Sequence, residues 1–314
     1  MPLLFLNERS CESSCEPARA DRAMTEFAHA VLKAWRADRK GTVLVAREPI
    51  TGLQLAVGHP IGKWHGNPRN RDSWMLMLKM QNKWPHRAVF PEGEGYYDVE
   101  YRHQGERVEG LGAAHLMDGL GVSLPVEPRW NADQLTLERE QLVEGEDGES
   151  GSRTSQVLIR HMSARDHYET HQTWIRDGAE AVRRGGLEAV RRGAELWERR
   201  AEFFPRLQFL PRVEGDLRDL PEVWVRPVRD RLIELEAAVA AWNPDTHPIA
   251  PQWRSDVRTE FESRRRLCWF DDKGTEELFD WHCEFLPTPG RMHFRLLHAE
   301  RTLRIAYVGR KLGV

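Results

Sequence analysis

The residues best placed to do chemistry lie near the C-terminus. In 278–286, Phe279, Trp281, Cys283 and Phe285 alternate with Asp280, His282 and Glu284. In 291–297, Met292, Phe294 and Leu296 alternate with Arg291, His293 and Arg295, and in 302–308 Leu303, Ile305 and Tyr307 alternate with Arg304 and Ala306. Period two marks antiparallel strands with one apolar and one polar face. A turn at 287–290 predicts that Phe285 meets Met292 and Cys283 meets Phe294; a turn at 299–300 predicts that Phe294 meets Ile305 and Met292 meets Tyr307. Each predicted pair is apolar on both sides, and a one-residue slip would reverse every face.

The same register predicts the polar face: Glu284 opposite His293, His282 opposite Arg295, and Arg295 opposite Arg304. Opposed side chains on a sheet are neighbours, so these groups should form one patch. Two adjacent arginines repel unless an anion lies over them, and a phosphate matches the guanidinium fork. A carboxylate, two imidazoles and two cations also suffice for RNA cleavage without a metal. A base takes the 2′-OH proton, an acid protonates the leaving oxygen, and cations hold the phosphorane charge. In that reading Glu284 is the base, His293 or His282 the acid, and Arg291, Arg295 and Arg304 the phosphate ligands. Residues 289–314 carry five Arg and one Lys against Glu300, a local charge of +5.

The run Gly290-Arg-Met-His-Phe-Arg295 and then Arg301-Thr-Leu-Arg-Ile-Ala-Tyr-Val-Gly-Arg-Lys-Leu312 resembles the closing hairpin of RelE-type and HigB-type ribonuclease toxins. The resemblance implies phosphate contacts from Arg295, Arg304, Tyr307 and Lys311. It is confined to 290–312, and the paired helices that precede the sheet in those toxins are replaced here by two further strand-like runs. The chain as a whole is also similar to uncharacterised bacterial proteins associated with phage-defence gene clusters, a likeness that implies a defence or toxin-like component and no particular mechanism.

The elements that must position these residues read as α+β. Leu3–Leu6, a helix with Met24, Phe27, Val31 and Trp35 on one face, and Thr42–Ala46 suggest a βαβ unit. Residues 135–143 and 155–162 read as a hairpin around an acidic loop, and 165–242 as helices. Pro244, Pro248 and Pro251 mark a linker. The expected organisation is therefore an α/β region at 1–130, a hairpin and helical region at 131–242, a linker at 243–257 and an antiparallel module at 258–314.

The chain has 314 residues, with 46 Lys and Arg against 49 Asp and Glu for a net charge of −3. Near-neutrality argues against a protein that coats nucleic acid indiscriminately and leaves room for one focused phosphate site. A mean hydropathy of −0.63 and the lack of a long uncharged apolar run predict no membrane partner. The start of the chain lacks the basic segment of a signal peptide, so the expected location is cytoplasmic. Four cysteines do not make a disulfide scaffold; Cys11 and Cys15 have half of a zinc-site spacing, and Cys268 and Cys283 read as structural thiols.

Three weaker patterns complete the inventory. His167 and His171 stand four apart on a helix, but Tyr168 replaces the glutamate a zinc protease motif needs. Asp98 and Glu100 on a strand faintly suggest a nuclease core. Trp64, Trp74 and Trp84 among cations could stack single-stranded bases, or could be a core with cations over it. The reading expects no cofactor and no metal. Its first function is an RNA- or phosphate-binding C-terminal sheet that could cleave RNA; its alternative is a non-catalytic scaffold or adaptor using a Trp-rich body for protein contacts.

Overall fold

A computed structural model of the chain describes residues 3–39, 41–81, 99–144, 150–184, 186–285 and 290–313. The fold is α+β, as the sequence predicts. It divides into two compact units, residues 1–141 with 152–180, and 142–151 with 181–314.

The first unit holds a seven-stranded sheet. Its strands are β1 (Leu3–Leu6), β2 (Val43–Val45), β3 (Val99–His103), β4 (Glu106–Arg107), β5 (Leu120–Val122), β6 (Gln134–Glu144) and β7 (Ser150–Met162), in the order β2-β1-β5-β7-β6-β3-β4. β1 pairs in parallel with β2 and β5, and β5 in parallel with β7, so the predicted βαβ unit is present. Its crossover is helix α1 (Pro17–Ala37), opened by Pro17 at its first position, where no N–H is needed. α1 buries Met24, Phe27, Val31 and Leu32 in a core shared with Leu4, Leu6, Val122 and helix α2 (Arg71–Met80). Asp98 and Trp84 lie outside the described residues.

Helix α3 (Glu109–Leu116) packs against β1, β5 and β3. A Cβ at Gly110 would stand 2.1 Å from the Leu6 carbonyl oxygen, closer than any side chain tolerates. Gly110→Ala should cost about 2 kcal/mol by overpacking, measured as a lower denaturant midpoint.

Helix α4 (Tyr168–Arg184) leads into the second unit, whose sheet is built from β8 (Leu207–Phe209), β9 (Val257–Thr259), β12 (Trp281–Phe285), β13 (Gly290–Leu297) and β14 (Thr302–Arg310), ordered β8-β14-β13-β12-β9. Three of the expected strand runs, 278–286, 291–297 and 302–308, are antiparallel neighbours in this sheet; β9, at its edge, begins in the segment expected as a linker, and β8 comes from the helical middle and pairs in parallel with β14. Beyond β8, helix α5 (Val213–Arg218) covers the exposed side of β14, and Asp216 accepts the Val308 N–H at 3.0 Å. That bond occupies a donor which an open edge would offer to another chain.

Helix α6 (Glu222–Ala240) packs on the apolar face, with Trp224 edge-on to Phe285 at 5.2 Å. The segment expected as a linker, 243–257, belongs to this unit. Trp242 donates to the His247 carbonyl at 2.8 Å, Ser255 N–H donates to Glu234 at 2.6 Å, and Trp253 packs on Trp281 and Phe294. Its prolines shape a packed strap. A second layer lies over the polar face: helix α7 (Glu262–Arg265) and the hairpin β10 (Trp269–Asp272) with β11 (Thr275–Leu278).

Candidate functional site

The strand pairing differs from the expected register by two residues on one side. Phe285 faces Gly290, Cys283 faces Met292, and Trp281 faces Phe294. Glu284 therefore stands opposite Arg291, and His282 opposite His293. A shift of two keeps every residue on its predicted face while changing its partner.

Between β13 and β14 the predicted pairs Phe294 with Ile305, Leu296 with Leu303 and Arg295 with Arg304 are present, but Met292 meets Val308 across a register break at His293/Phe294. The extra residue, Ala306, makes a bulge that turns Tyr307 to the polar face opposite His293, with the two rings 6.1 Å apart.

The expected catalytic groups are together and enclosed. His282, Glu284, Arg291 and His293 are 2%, 4%, 0% and 1% exposed. Both sheet faces are covered, so a polar alternation that ordinarily faces water lies inside. Glu284 forms an ion pair with Nη1 of Arg291 at 2.8 Å and accepts from Arg258 at 3.1 Å. Arg258 also pairs with Asp256. Two acids and two arginines thus cancel, which is the condition for burying charge at all.

Burial, with Arg291 and Arg258 nearby, holds His282 well below the usual imidazole range. Burial and then Arg291 push His293 down to about 3. Neither ring is an imidazolium at neutral pH, so neither has the acidic proton that leaving-group protonation requires.

The arginines predicted to bind phosphate already have anions. Asp272, on β10, accepts from Arg295 at 2.8 Å and from Arg304, with its side chain 4% exposed. Glu277 takes the second arm of Arg295 at 2.7 Å, and Gln208 takes Nε of Arg304 at 2.9 Å. Arg295 also lies over the Phe279 ring, and Phe270 stacks on Tyr307. The Tyr307 hydroxyl donates to the Arg310 carbonyl at 2.7 Å, and Lys311 is buried. The anion needed by the paired arginines comes from the β10–β11 hairpin of the same unit. Asp280 and Glu284, the neutralising acids nearest in the sequence pattern, are engaged elsewhere, Asp280 with Arg265 at 3.0 Å.

The first unit holds a second polar cluster, at the carboxyl ends of its parallel strands, where α/β sheets commonly bind ligands. His161 Nδ1–H donates to the Ala132 carbonyl at 2.7 Å, which leaves Nε2 to accept from Ser123 Oγ at 2.7 Å; Asn7 donates to the same oxygen at 3.0 Å. A serine beside a histidine resembles a nucleophile and base. Here a carbonyl replaces the orienting carboxylate, both residues are wholly buried, and burial pushes His161 down to about 3. The arrangement ties β1, β5 and β7 together.

His161 should therefore keep the neutral Nδ1–H tautomer in nitrogen-edited spectra from about pH 7 to about pH 5. Its folded value is depressed, so its contribution to stability is lost as pH falls below the unfolded value of about 6.5. His171 donates to the Asp133 and His161 carbonyls, and His167 Nδ1 accepts the Ser163 N–H at 3.2 Å, so the histidine pair caps backbone.

Sequence reasoning missed Glu8, which burial raises to about 7 at the end of β1. The available signal was its position, directly after the first strand of a βαβ unit. An open depression of about 690 Å³ lies beyond β5 and β7, lined by Glu26, Asn131, Arg165 and an ion pair of Lys33 with Glu169. Trp64 and Trp74 are core residues, the latter stacked on His65, so the aromatic-cation stretch is a core with cations over it. No described helix is long and apolar enough to cross a membrane.

Comparison with known proteins gives the chain no relative: no family model, no curated protein and no solved structure matches it.

Proposed function

We propose that this protein is a non-catalytic adaptor that presents the outer face of the β10–β11 hairpin to a protein partner. The observation that carries this reading is Trp269, 49% exposed on a hairpin whose inner face is anchored. Phe270 and Asp272 point inward to Tyr307, Arg295 and Arg304, while Trp269 and Asp271 alternate outward, facing Leu278 and Glu276 across the hairpin. An aromatic side chain held out from a fixed support, with Asp271 and Glu276 on the same face, has the composition of an interface anchor. Among the tryptophans of the helical body, Trp197, Trp224 and Trp242 are buried and Trp174 is half-buried. The acids Asp271 and Glu276 beside Trp269 favour a basic partner surface.

The ribonuclease reading needs a 2′-OH and a phosphate to reach Glu284 and His293, and both residues are enclosed by the sheet's second layer. Labelled RNA incubated in EDTA should stay intact with the wild type and with Glu284→Gln/His293→Ala alike. Cleavage by the wild type that the variant loses would restore the nuclease. For the adaptor, affinity capture from the source cells should return a stoichiometric protein with the wild type. That protein should be lost with Trp269→Ser and kept with Val57→Ser, a control at another exposed apolar residue. Retention of the same protein by Trp269→Ser would overturn the reading.

A further inference from the structure

We propose that Glu260, Cys268 and His293 bind a zinc ion that fastens the second layer of this unit to its sheet. The three residues come from separate places in the chain: just after β9, between α7 and β10, and on β13. All are buried, at 6%, 1% and 1% exposure, and one ligand atom from each lies within 4.8 Å of the others. Cys268 Sγ is 3.7 Å from His293 Nδ1. Tetrahedral bonds of about 2.3 Å to sulfur and about 2.0 Å to nitrogen place those two atoms about 3.5 Å apart, so the pair is nearly at zinc spacing before any metal draws it in. Thiol and imidazole together select zinc over magnesium or calcium, which take oxygen.

A simple S–H···N contact would account for the sulfur and the nitrogen but not for the rest. The Glu260 carboxylate is approached by the Phe261 N–H at 3.3 Å and by Arg264 Nε at 3.5 Å. His293 faces His282 across the strand pair, with the two rings 5.5 Å apart. A cation at the cluster gives a purpose to the carboxylate, the thiol and the neutral imidazole, and three protein ligands leave the fourth tetrahedral position to water.

Binding converts the Cys268 thiol to a zinc thiolate and releases its proton to solvent. Glu260 and the thiolate then supply two negative charges to a dication beside Arg264, so the added charge is met locally. The sequence reading treats Cys268 as a structural thiol and expects no metal; ligands this far apart in sequence have no recognisable spacing.

The test uses untagged full-length protein loaded with zinc and dialysed into metal-free buffer. Elemental analysis should find about one zinc per chain. Cys268→Ser and His293→Asn should lower occupancy by about tenfold or more, while Cys15→Ser, in the first unit, should not. Should those variants fold poorly, cobalt(II) loading of the wild type and of Cys15→Ser gives the same answer, since a thiolate-to-cobalt charge-transfer band that persists when the Cys11/Cys15 pair is broken reports a ligand in the second unit. A wild type that retains no zinc, or one whose cobalt form lacks that band, overturns the proposal, as does a folded Cys268→Ser that keeps its zinc.

Discussion

Replacing Glu284 by Gln should lower the unfolding free energy by about 3–5 kcal/mol, seen as a lower denaturant midpoint at unchanged slope. The substitution keeps the shape of the side chain and removes only its charge. Arg291, at 0% exposure, and Arg258 then lose the carboxylate that both of them face. Leaving a cation in a low-dielectric interior costs far more than an exposed ion pair returns.

The direction separates two accounts of this residue. A general base in an open cleft is held at some cost to the fold, so its neutral isostere commonly leaves stability unchanged or raises it. A structural carboxylate gives a large loss. Adding Arg291→Met should recover part of that loss, because removing both charges is cheaper than removing one; the size of the recovery in a double-mutant cycle measures the coupling.

Asp272→Asn should cost about 3 kcal/mol by the same reasoning, applied to the arginines expected to bind phosphate. Asp272 is the carboxylate shared by Arg295 and Arg304, two side chains that the strand register sets directly opposite each other. Without it their repulsion is met only by Glu277, which is more exposed, and by the neutral Gln208. The loss should appear in thermal unfolding and should shrink with added salt, because Arg295 retains partial access to counterions.

The chain's alternation made the faces of β12, β13 and β14 legible and their pairing only partly so. Pairing Cys283 with Phe294 or with Met292 satisfies apolar patterning equally, so composition could not choose between registers two residues apart. The bulge at Ala306 was hidden for a related reason: alanine fits either face, and the residue carries no signal of the turn it imposes on Tyr307. The helix α1 and the parallel pairing of β1 with β2 were readable because a strongly amphipathic stretch separates two short apolar runs.

What could not be read was the layer over the polar face. Periodicity says which side chains share a surface and not whether another segment lies on it. Lys273 and Gly274 form the turn between β10 and β11: both have positive φ, and Gly274 N–H donates to Asp271. Only the fold places Asp272 between two arginines distant in sequence. Likewise β8 is three residues long, too short to stand out from the helical text around it.

The enclosure of the expected catalytic groups is open to direct chemical measurement on the unmodified protein. Carbethoxylation with diethyl pyrocarbonate, followed by peptide mass spectrometry, reads the accessibility of each histidine in the folded state. His29 and His298 are exposed and should react readily, whereas His282 and His293 should stay unmodified until the protein is denatured. Modification of His293 in the native protein at the rate of His29 would contradict the account, because it would mean that the face carrying Glu284, Arg291 and His293 is open to solvent and to substrate.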